Sequence, residues 1–186
     1  MKPVGGLQIP VIGVAGWKKS GKTTLVTRLI TEFTARGLKV ATVKHAHHDF
    51  QVDEGETDSA RHRRAGAVQV AVVSSRRWVL INELDAAPEP ALDEVIAWLG
   101  PCDLIIAEGY KAAPIPKIEL RRSGAVSQVP LAGEQPNVRA IAADYSIDDT
   151  QLPVFALDDV AGIADFIAAT VGVAAPRDTA LTVPDR

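Results

Sequence analysis

The stretch VIGVAGWKKSGKTTL, residues 11–25, decides the fold class. Its first residues, Val11 to Ala15, form a short continuous apolar run, which is typical of a parallel strand buried on both faces. Thr23 to Arg36 then carries apolar side chains at helical spacing and stops at Gly37. A second apolar run, Leu38 to Val43, follows as the next strand. These residues therefore predict a β–α–β unit in which a glycine-rich loop joins strand to helix.

Composition favours a packed, soluble protein and excludes several functional classes. Of the 186 residues, 47% are hydrophobic and the net charge is −3 without a polybasic tail, which argues against nucleic-acid and membrane-surface partners. Cys102 is the only cysteine, so no internal disulfide forms and a reducing compartment fits. No apolar run approaches the roughly 20 residues of a membrane-spanning helix, and the N-terminus lacks a secretory signal. We expect a cytoplasmic protein.

The loop itself matches a known phosphate-binding pattern. Gly16, four residues, then Gly21, Lys22 and Thr23 fit G-x-x-x-x-G-K-[ST], the Walker A loop. Its glycines let backbone N–H groups curl around an anion, and the following helix directs its positive dipole end at the phosphates. Lysine reaches the β- and γ-phosphates, while the threonine hydroxyl binds Mg²⁺. The predicted nucleotide-binding residues are Gly16, Trp17, Lys18, Lys19, Ser20, Gly21, Lys22, Thr23 and Thr24.

The rest of the chain alternates strands and helices. Strands are predicted at 68–73, 78–81, 104–107, 117–120, 138–142 and 154–156, and helices at 58–65 after a Thr57 cap, at 90–99, and from a cap at Asp158 to about 170. The pattern predicts an α/β fold like that of phosphate-loop NTPases, with a mostly parallel sheet, flanking helices and an appended β-hairpin. Residues 1–173 are expected to form one nucleotide-binding domain, and residues 174–186 a flexible tail.

A phosphate loop that binds Mg²⁺ also needs a carboxylate near the metal. Asp103 precedes and Glu108 follows the strand at 104–107, so an extended chain separates the two by roughly 16 Å. Ligands of open α/β sheets lie at the carboxyl ends of strands, which favours Glu108. The predicted metal ligands are therefore Thr23 and Glu108, with Asp58 as a further candidate that would hold a metal-bound water.

All four histidines fall in one region of the chain, at His45, His47, His48 and His62, among several carboxylates. Imidazole and carboxylate together suit a transition metal. However, no H-x-x-x-H pair or C-x-x-C supports a tight zinc site, and a polar loop lining the nucleotide or partner site is the favoured interpretation. Arg61, Arg63 and Arg64 fit either contact with an anionic ligand or a solvated helix face, and the sequence leaves both open.

Two runs together resemble the MobB family of adapter proteins in molybdopterin-guanine dinucleotide biosynthesis. They are GWKKSGKTTL at 16–25 and VKHAHHDFQVDEGETDSARHRRAGA at 43–67, and DLIIAEGYK, PKIELRR and PVFALDDVAGIADFI follow in the same order. The resemblance implies a homodimeric GTP-binding protein that uses Mg²⁺, assists the guanylyltransferase that attaches GMP to molybdopterin, and hydrolyses GTP weakly. Molybdopterin itself is a further candidate partner. Carried onto this chain, 16–23 would hold the GTP phosphates, Glu108 would stand at the metal, and 74–80 would belong to a pairing hairpin.

The sequence also departs from better-known GTPases. It contains no N/T-K-x-D tetrapeptide, so guanine preference rests on the resemblance, and neither Gln51 nor Gln69 adjoins a recognisable switch glycine. Trp17 stands where membrane-partitioning ATPases have a signature lysine. Enzymatic activity beyond weak GTP hydrolysis stays open, with two alternatives. One is a small kinase in which Arg61 to Arg64 close over the phosphates, and the other is a metallochaperone GTPase that uses the histidines.

Overall fold

The computed structural model describes residues 9–46, 52–53 and 55–173. These fall into two compact units: the described residues up to His45 together with those from Leu92 onward, and the described residues between Ala46 and Ala91. A single domain over residues 1–173 stays a prediction. The predicted tail, 174–186, lies outside the described residues. Within the described ranges, none of the helices combines the length and the apolar character that crossing a bilayer requires.

The order of elements along the chain follows the predicted alternation. The strands are β1 (Val11–Gly16), β2 (Val40–Lys44), β3 (Gln69–Val73), β4 (Trp78–Asn82), β5 (Leu104–Glu108), β6 (Lys117–Arg121), β7 (Val138–Ala143) and β8 (Val154–Ala156). The helices are α1 (Lys22–Ala35), α2 (Asp58–Arg64), α3 (Leu92–Trp98) and α4 (Val160–Val171).

The first unit is built on a six-stranded sheet in the order β2-β5-β1-β6-β7-β8, and every neighbouring pair is parallel. Alternate residues of β5 face opposite sides of this sheet. Leu104 and Ile106 pack in a core with α1 and α4, whereas Ile105 and Ala107 pack in a second core with α3. Helices thus flank the sheet, which explains why its strands are continuously apolar, and the predicted α/β fold is confirmed.

Helix α1 directly follows the phosphate loop and packs against the core. It buries one apolar face, consisting of Leu25, Val26, Leu29 and Phe33. Gly37 has a φ of +83°, and the Leu38 N–H donates to the Phe33 carbonyl at 3.0 Å, so the helix end extends to Leu38. For this reason β2 begins at Val40 and not at the predicted Leu38.

The last helix begins one residue later than its predicted cap. The N-cap of α4 is Asp159, whose Oδ1 accepts a hydrogen bond from the Gly162 N–H at 3.0 Å, so the prediction of Asp158 was wrong. Two consecutive aspartates make the choice ambiguous in the sequence, and only the one whose side chain reaches the third following N–H caps the helix. The carboxylate of Asp158 is consequently left outside the helix.

The second unit contains α2 and a separate antiparallel hairpin, β3–β4. Thr57 caps α2 as predicted, since its Oγ1 accepts from the Ala60 N–H at 3.2 Å. The predicted hairpin is also confirmed, and Ser74 N donates to the Arg77 carbonyl at 2.9 Å across its turn. Apolar side chains remain exposed on this hairpin, namely Val72, Val73, Trp78, Val79 and Leu80.

Candidate functional site

The loop after β1 lies at the carboxyl edge of the sheet, and its backbone conformation requires its two glycines. A Cβ on Gly16 would lie 2.8 Å from the Leu120 carbonyl oxygen on the neighbouring strand β6 and 2.5 Å from Ser20 Oγ. Gly21 has a φ of +90° immediately before α1, and a Cβ placed there would meet only Arg122 Nη1 among the described atoms, at an ordinary contact distance of 3.9 Å, so conformation and not crowding requires a glycine. Lys19 also has a positive φ, of +67°. The loop is therefore a tight curl whose shape the sequence motif encodes.

Lys22 turns its ammonium back into this curl. Its Nζ donates to the Gly16 carbonyl at 3.0 Å and to the Trp17 carbonyl at 2.8 Å. Burial is the largest influence on its pKa and lowers it, while the Glu108 carboxylate acts in the opposite direction. The result is a partly desolvated cation next to the loop, which is the arrangement that strengthens attraction for an anion.

Ser20 adds a polar group whose partner is missing from the described chain. The residue is fully buried within the loop, and its hydroxyl makes no hydrogen bond to any described residue. A buried polar group without a partner costs free energy, so such groups in a native fold usually have a ligand or water to satisfy them. Together with Lys22, the hydroxyl gives the inside of the loop a polar lining whose chemistry suits an oxygen-rich anion.

Of the two carboxylates that flank β5, Glu108 is the one beside the loop. Its Oε1 accepts a hydrogen bond from Thr23 Oγ1 at 2.9 Å and lies 3.6 Å from Lys44 Nζ, and its side chain is only 10% exposed. Asp103, at the opposite end of β5, accepts a hydrogen bond from the Lys39 N–H at 2.7 Å. The structure therefore brings together Thr23 and Glu108, the predicted metal ligands of this unit, although metal binding itself stays a prediction.

Trp17 joins the loop to a segment that the sequence analysis did not select. Its Nε1 donates to the Val129 carbonyl at 2.7 Å, and Lys111 Nζ lies 3.8 Å from the centre of its ring, within cation–π distance. The Val126 N–H donates to the Lys18 carbonyl at 3.0 Å. Residues 122–132, which we call the covering segment, thus hold the outer side of the loop in place.

The covering segment is in turn anchored by a buried carboxylate on β6. Glu119 is 1% exposed and accepts hydrogen bonds from the N–H groups of Leu131 and Ala132 at 2.8 and 2.9 Å, and from the guanidinium of Arg121. A buried carboxylate is tolerated only when it is paired and hydrogen-bonded in this way. No motif indicates this support, and β6 has the sequence KIELR with three charged residues, so Glu119 does not stand out in the sequence.

The histidine cluster is tested only in part. His47 and His48 lie outside the described residues. His45 follows β2, its N–H donates to the Glu108 carbonyl at 2.9 Å, and its ring lies 5.2 Å from that of Tyr110. Among the described residues, no group of three His, Cys, Asp or Glu side chains is placed to hold a metal ion.

The remaining predicted residues belong to the second unit. Asp58 is the first residue of α2, and its role at a metal stays a prediction. Arg63 donates to the Asp53 carbonyl at 3.0 Å and pairs with Glu83 at 3.2 Å, so this arginine has a structural role within its unit. For Arg61 and Arg64, both interpretations stay open: contact with an anionic ligand, or a solvated helix face.

A family model decides the relationship of the chain to known proteins. The model described as "MobB: Molybdopterin guanine dinucleotide synthesis protein B" matches residues 11–144, which include the phosphate loop, Glu108 and the covering segment. The chain belongs to the MobB family. The resemblance seen in the sequence is thereby confirmed.

Curated MobB relatives match most of the chain. It is 39% identical over 165 residues to the molybdopterin-guanine dinucleotide biosynthesis adapter protein of Haemophilus influenzae, covering 86% of this chain and 88% of the relative. The adapter protein of that name from Escherichia coli strain K12 is 36% identical over 165 residues, covering 88% and 94%.

Solved MobB structures have the same fold. A MobB homologue from Bacillus stearothermophilus is similar with a TM-score of 0.67 at 29% identity, covering 88% of this chain and 99% of that one. MobB from Bacillus subtilis gives a TM-score of 0.68 at 25% identity, covering 87% and 98%. The parallel sheet and flanking helices are therefore those of the MobB family.

Proposed function

We propose that this MobB-family protein binds GTP together with Mg²⁺ and acts as an adapter in molybdopterin-guanine dinucleotide biosynthesis, where it assists the guanylyltransferase. One observation carries the nucleotide part of the proposal. The Lys22 ammonium, the unpartnered Ser20 hydroxyl and the Thr23–Glu108 pair converge on one glycine-shaped loop. The names of the relatives support the pathway and the adapter role.

The chain's own groups suit a triphosphate. Backbone N–H groups at the start of α1 lack intrahelical partners and carry the positive end of the helix dipole, so they attract phosphate oxygens. Lys22 would exchange its bonds to the Gly16 and Trp17 carbonyls for bonds to phosphate, and Ser20 would donate its buried hydroxyl. An ammonium bonded to a phosphate oxygen has an ionised partner on both sides, whereas the carbonyl partners that Lys22 has in the structure are neutral.

Thr23 and Glu108 fit Mg²⁺ because both offer oxygen ligands, which this hard cation prefers. Their oxygens already lie 2.9 Å apart, at the end of β5 next to the loop. When bound, Mg²⁺ would neutralise charge on the β- and γ-phosphates. Lys44 Nζ lies 3.6 Å from the same carboxylate, so a side-chain cation stands beside these oxygens.

Hydrolysis is expected to be slow without the partner enzyme. Gln69 lies on β3, where its side chain donates to Asn82, and Gln51 lies outside the described residues. Glu108 is occupied by Thr23 and Lys44, so it is poorly suited to abstract a proton from water. Binding and presentation of the nucleotide, and not its turnover, is the chemistry that these residues support.

A nucleotide titration tests the proposal. Calorimetric titration with GTP and with ATP, each with and without Mg²⁺, should show GTP binding that Mg²⁺ strengthens and that ATP does not match. Addition of the protein to the guanylyltransferase with GTP and molybdopterin should then accelerate dinucleotide formation. Equal affinity for the two nucleotides, or no effect on the transferase, would contradict the respective half of the proposal.

The homodimer belongs to the same proposal, and the hairpin supports it. Val73 and Trp78 face each other in the β3–β4 register and are 75% and 68% exposed, and exposed apolar patches of this kind commonly mark protein interfaces. We expect Trp78→Lys to weaken dimerisation by about thirtyfold, since truncating a central interface Trp costs about 2 kcal/mol or more.

Sedimentation velocity over a concentration series measures this effect. Trp98→Lys is the matched control, because Trp98 on α3 is also 63% exposed but lies in the first unit. Trp98→Lys should leave the dimer intact. Dissociation by Trp98→Lys and not by Trp78→Lys would assign the interface to α3.

A further inference from the structure

A second recess opens at the carboxyl edge of the same sheet. It is a groove of about 580 Å³, a volume within the range of small-molecule sites. Its walls come from α1 and from the residues at the ends of β7 and β8, namely Arg28, Ala143, Asp144, Tyr145, Ser146 and Val154 to Asp158. Because β1, β7 and β8 all run parallel, the groove and the phosphate loop lie at the same edge of the sheet.

Two features connect this groove to the phosphate loop. Arg122 bridges them, since its Nη1 lies 3.9 Å from the position of a Cβ on Gly21 and its Nε lies 3.7 Å from Asp144 Oδ2. Helix α1 also leads from one to the other, and Lys22 and Arg28 are separated by about 9 Å along its axis. A molecule with its phosphates on the loop can therefore extend along α1 into the groove.

The polar side chains of the groove differ in whether they already make hydrogen bonds or ion pairs within the protein. Asp144 accepts hydrogen bonds from the Ser123 N–H and hydroxyl at 2.8 and 3.0 Å. By contrast, the side chains of Arg28 and Asp158 make no hydrogen bond or ion pair with the described residues. The groove thus presents one uncommitted cation and one uncommitted carboxylate, beside apolar side chains of Val154, Phe155 and Leu157.

We propose that this groove binds the guanine base of the nucleotide, with Asp158 as the residue that determines base specificity. The inference rests on the proposed function. The Asp158 carboxylate would accept hydrogen bonds from the guanine N1–H and N2 amino groups, and Arg28 would donate to its O6 and N7 acceptors. The rings of Tyr145 and Phe155 supply apolar surface for the purine.

This pairing disfavours adenine for a definite reason. Adenine presents an acceptor at N1, which would face the carboxylate, and a donor at N6, which would face the guanidinium. Sites that hydrogen-bond a substrate strongly reject analogues that leave their polar groups unpaired. The specificity that other GTPases obtain from an N/T-K-x-D motif would here come from residues 28 and 158, which are far apart in the sequence.

The variant Asp158→Asn tests the inference because it should shift the preference from GTP towards XTP and not only weaken GTP binding. An asparagine can donate to the 2-oxo group of xanthine, where guanine carries its amino group. We expect about tenfold weaker GTP binding and about tenfold stronger XTP binding than in the unmodified chain, with inorganic tripolyphosphate affinity unchanged. The measurement is calorimetric titration of the full chain with GTP, XTP, ATP and tripolyphosphate, all with Mg²⁺.

Asp159→Asn is the matched control. It makes the same change of charge one residue away, and asparagine caps helices as well as aspartate does, so α4 should be preserved. This variant should retain the GTP and XTP affinities of the unmodified chain. A GTP-to-XTP ratio that is unchanged by Asp158→Asn, or changed equally by Asp159→Asn, would overturn the base-site assignment.

A second variant tests the groove without relying on hydrogen bonds. Ser146→Trp places a large side chain on an exposed residue of the groove wall and should weaken GTP by about tenfold while sparing tripolyphosphate. Tripolyphosphate binding without any preference among bases would reject the base groove and leave the phosphate loop standing. Failure of the unmodified chain to bind either tripolyphosphate or GTP would reject the proposed function and this inference together.

Discussion

The phosphate loop and the groove proposed to bind the base lie at one edge of one sheet but are built on different principles. The loop consists of consecutive residues, 16–24, and acts through backbone shape, a helix end and one returning lysine. The groove collects side chains from α1 and from the ends of β7 and β8, more than a hundred residues apart. A polyanion can be held by main-chain groups, which requires contiguous sequence, whereas a base is distinguished by side chains, which the fold can draw from anywhere.

The two regions also differ in how many of their polar groups are already committed. In the loop, Trp17, Lys18 and Lys22 all contact protein groups, and the covering segment is anchored by the buried Glu119. In the groove, Arg28 and Asp158 have no partners among the described residues. We propose that the preformed loop supplies affinity for any triphosphate and that the uncommitted groove residues supply the choice among bases. Three variants of the loop and its proposed metal ligands test this division.

The largest effect is expected from Lys22→Ala. It removes the side chain that donates to the Gly16 and Trp17 carbonyls from within the curl, and with it the ammonium that is proposed to contact the phosphates. Loss of charge-assisted bonds should weaken GTP and tripolyphosphate alike by about 3 kcal/mol, or about a hundredfold. Titration of both ligands measures this, with the exposed Lys39→Ala as control. If Lys22→Ala also changed the preference for GTP over ATP, the loop would take part in base recognition, and the proposed division between loop and groove would be wrong.

Gly16→Ala should have an intermediate effect, and it acts through shape alone. The added Cβ would lie 2.8 Å from the Leu120 carbonyl oxygen, so the loop must move away from β6. We expect a loss of about 2 kcal/mol in the free energy of unfolding and a fall of about 6 °C in Tm. Affinities for GTP and tripolyphosphate should fall in equal proportion.

The control for this variant is Gly124→Ala, where an added Cβ meets nothing within 4 Å. Thermal denaturation should show no significant change there. If Gly16→Ala weakened GTP but left tripolyphosphate binding intact, then the loop would contribute to recognition of the base, and the division between the two regions would be wrong.

The smallest effect is expected from Glu108→Gln. The amide can still accept the hydrogen bond from Thr23, but it lacks the negative charge that a divalent cation requires. The Mg²⁺ concentration needed for half-maximal GTP binding should rise about tenfold, while binding without Mg²⁺ should be nearly unchanged. Asp103→Asn makes the equivalent change at the other end of β5 and should have no effect. A larger effect of Asp103→Asn than of Glu108→Gln on the Mg²⁺ dependence would contradict the choice of Glu108 as the metal ligand.

Much of the fold could be predicted because its signals are local. The apolar runs of β1 and β5, the Thr57 cap and the turn at Ser74 each depend on a few neighbouring residues. Errors occurred where neighbours compete, as at Asp158 and Asp159, or where a helix end continues into the next strand, as at Leu38. In both cases one hydrogen bond, invisible in the sequence, decides the boundary.

Within the site, the sequence predicted the loop and the choice of Glu108 but not their surroundings. Lys44 is the last residue of β2 and Lys111 follows β5, so the edge rule that selected Glu108 could have selected them too. Glu119, Arg122 and the groove could not be found in this way. Their roles depend on which strands lie next to β1, and strand order is not encoded in any short run of residues.

The amino-acid sequence alone determined the family, the succession of strands and helices, and the curl at residues 16–23. It could do so because backbone conformation depends mainly on nearby residues. Glycine, lysine and threonine at this fixed spacing favour one loop conformation. Only the tertiary structure decided that Thr23 meets Glu108 and that Arg28 and Asp158 line one groove. Those juxtapositions arise when buried apolar faces fix the order and register of the parallel strands, and so bring the ends of distant strands together.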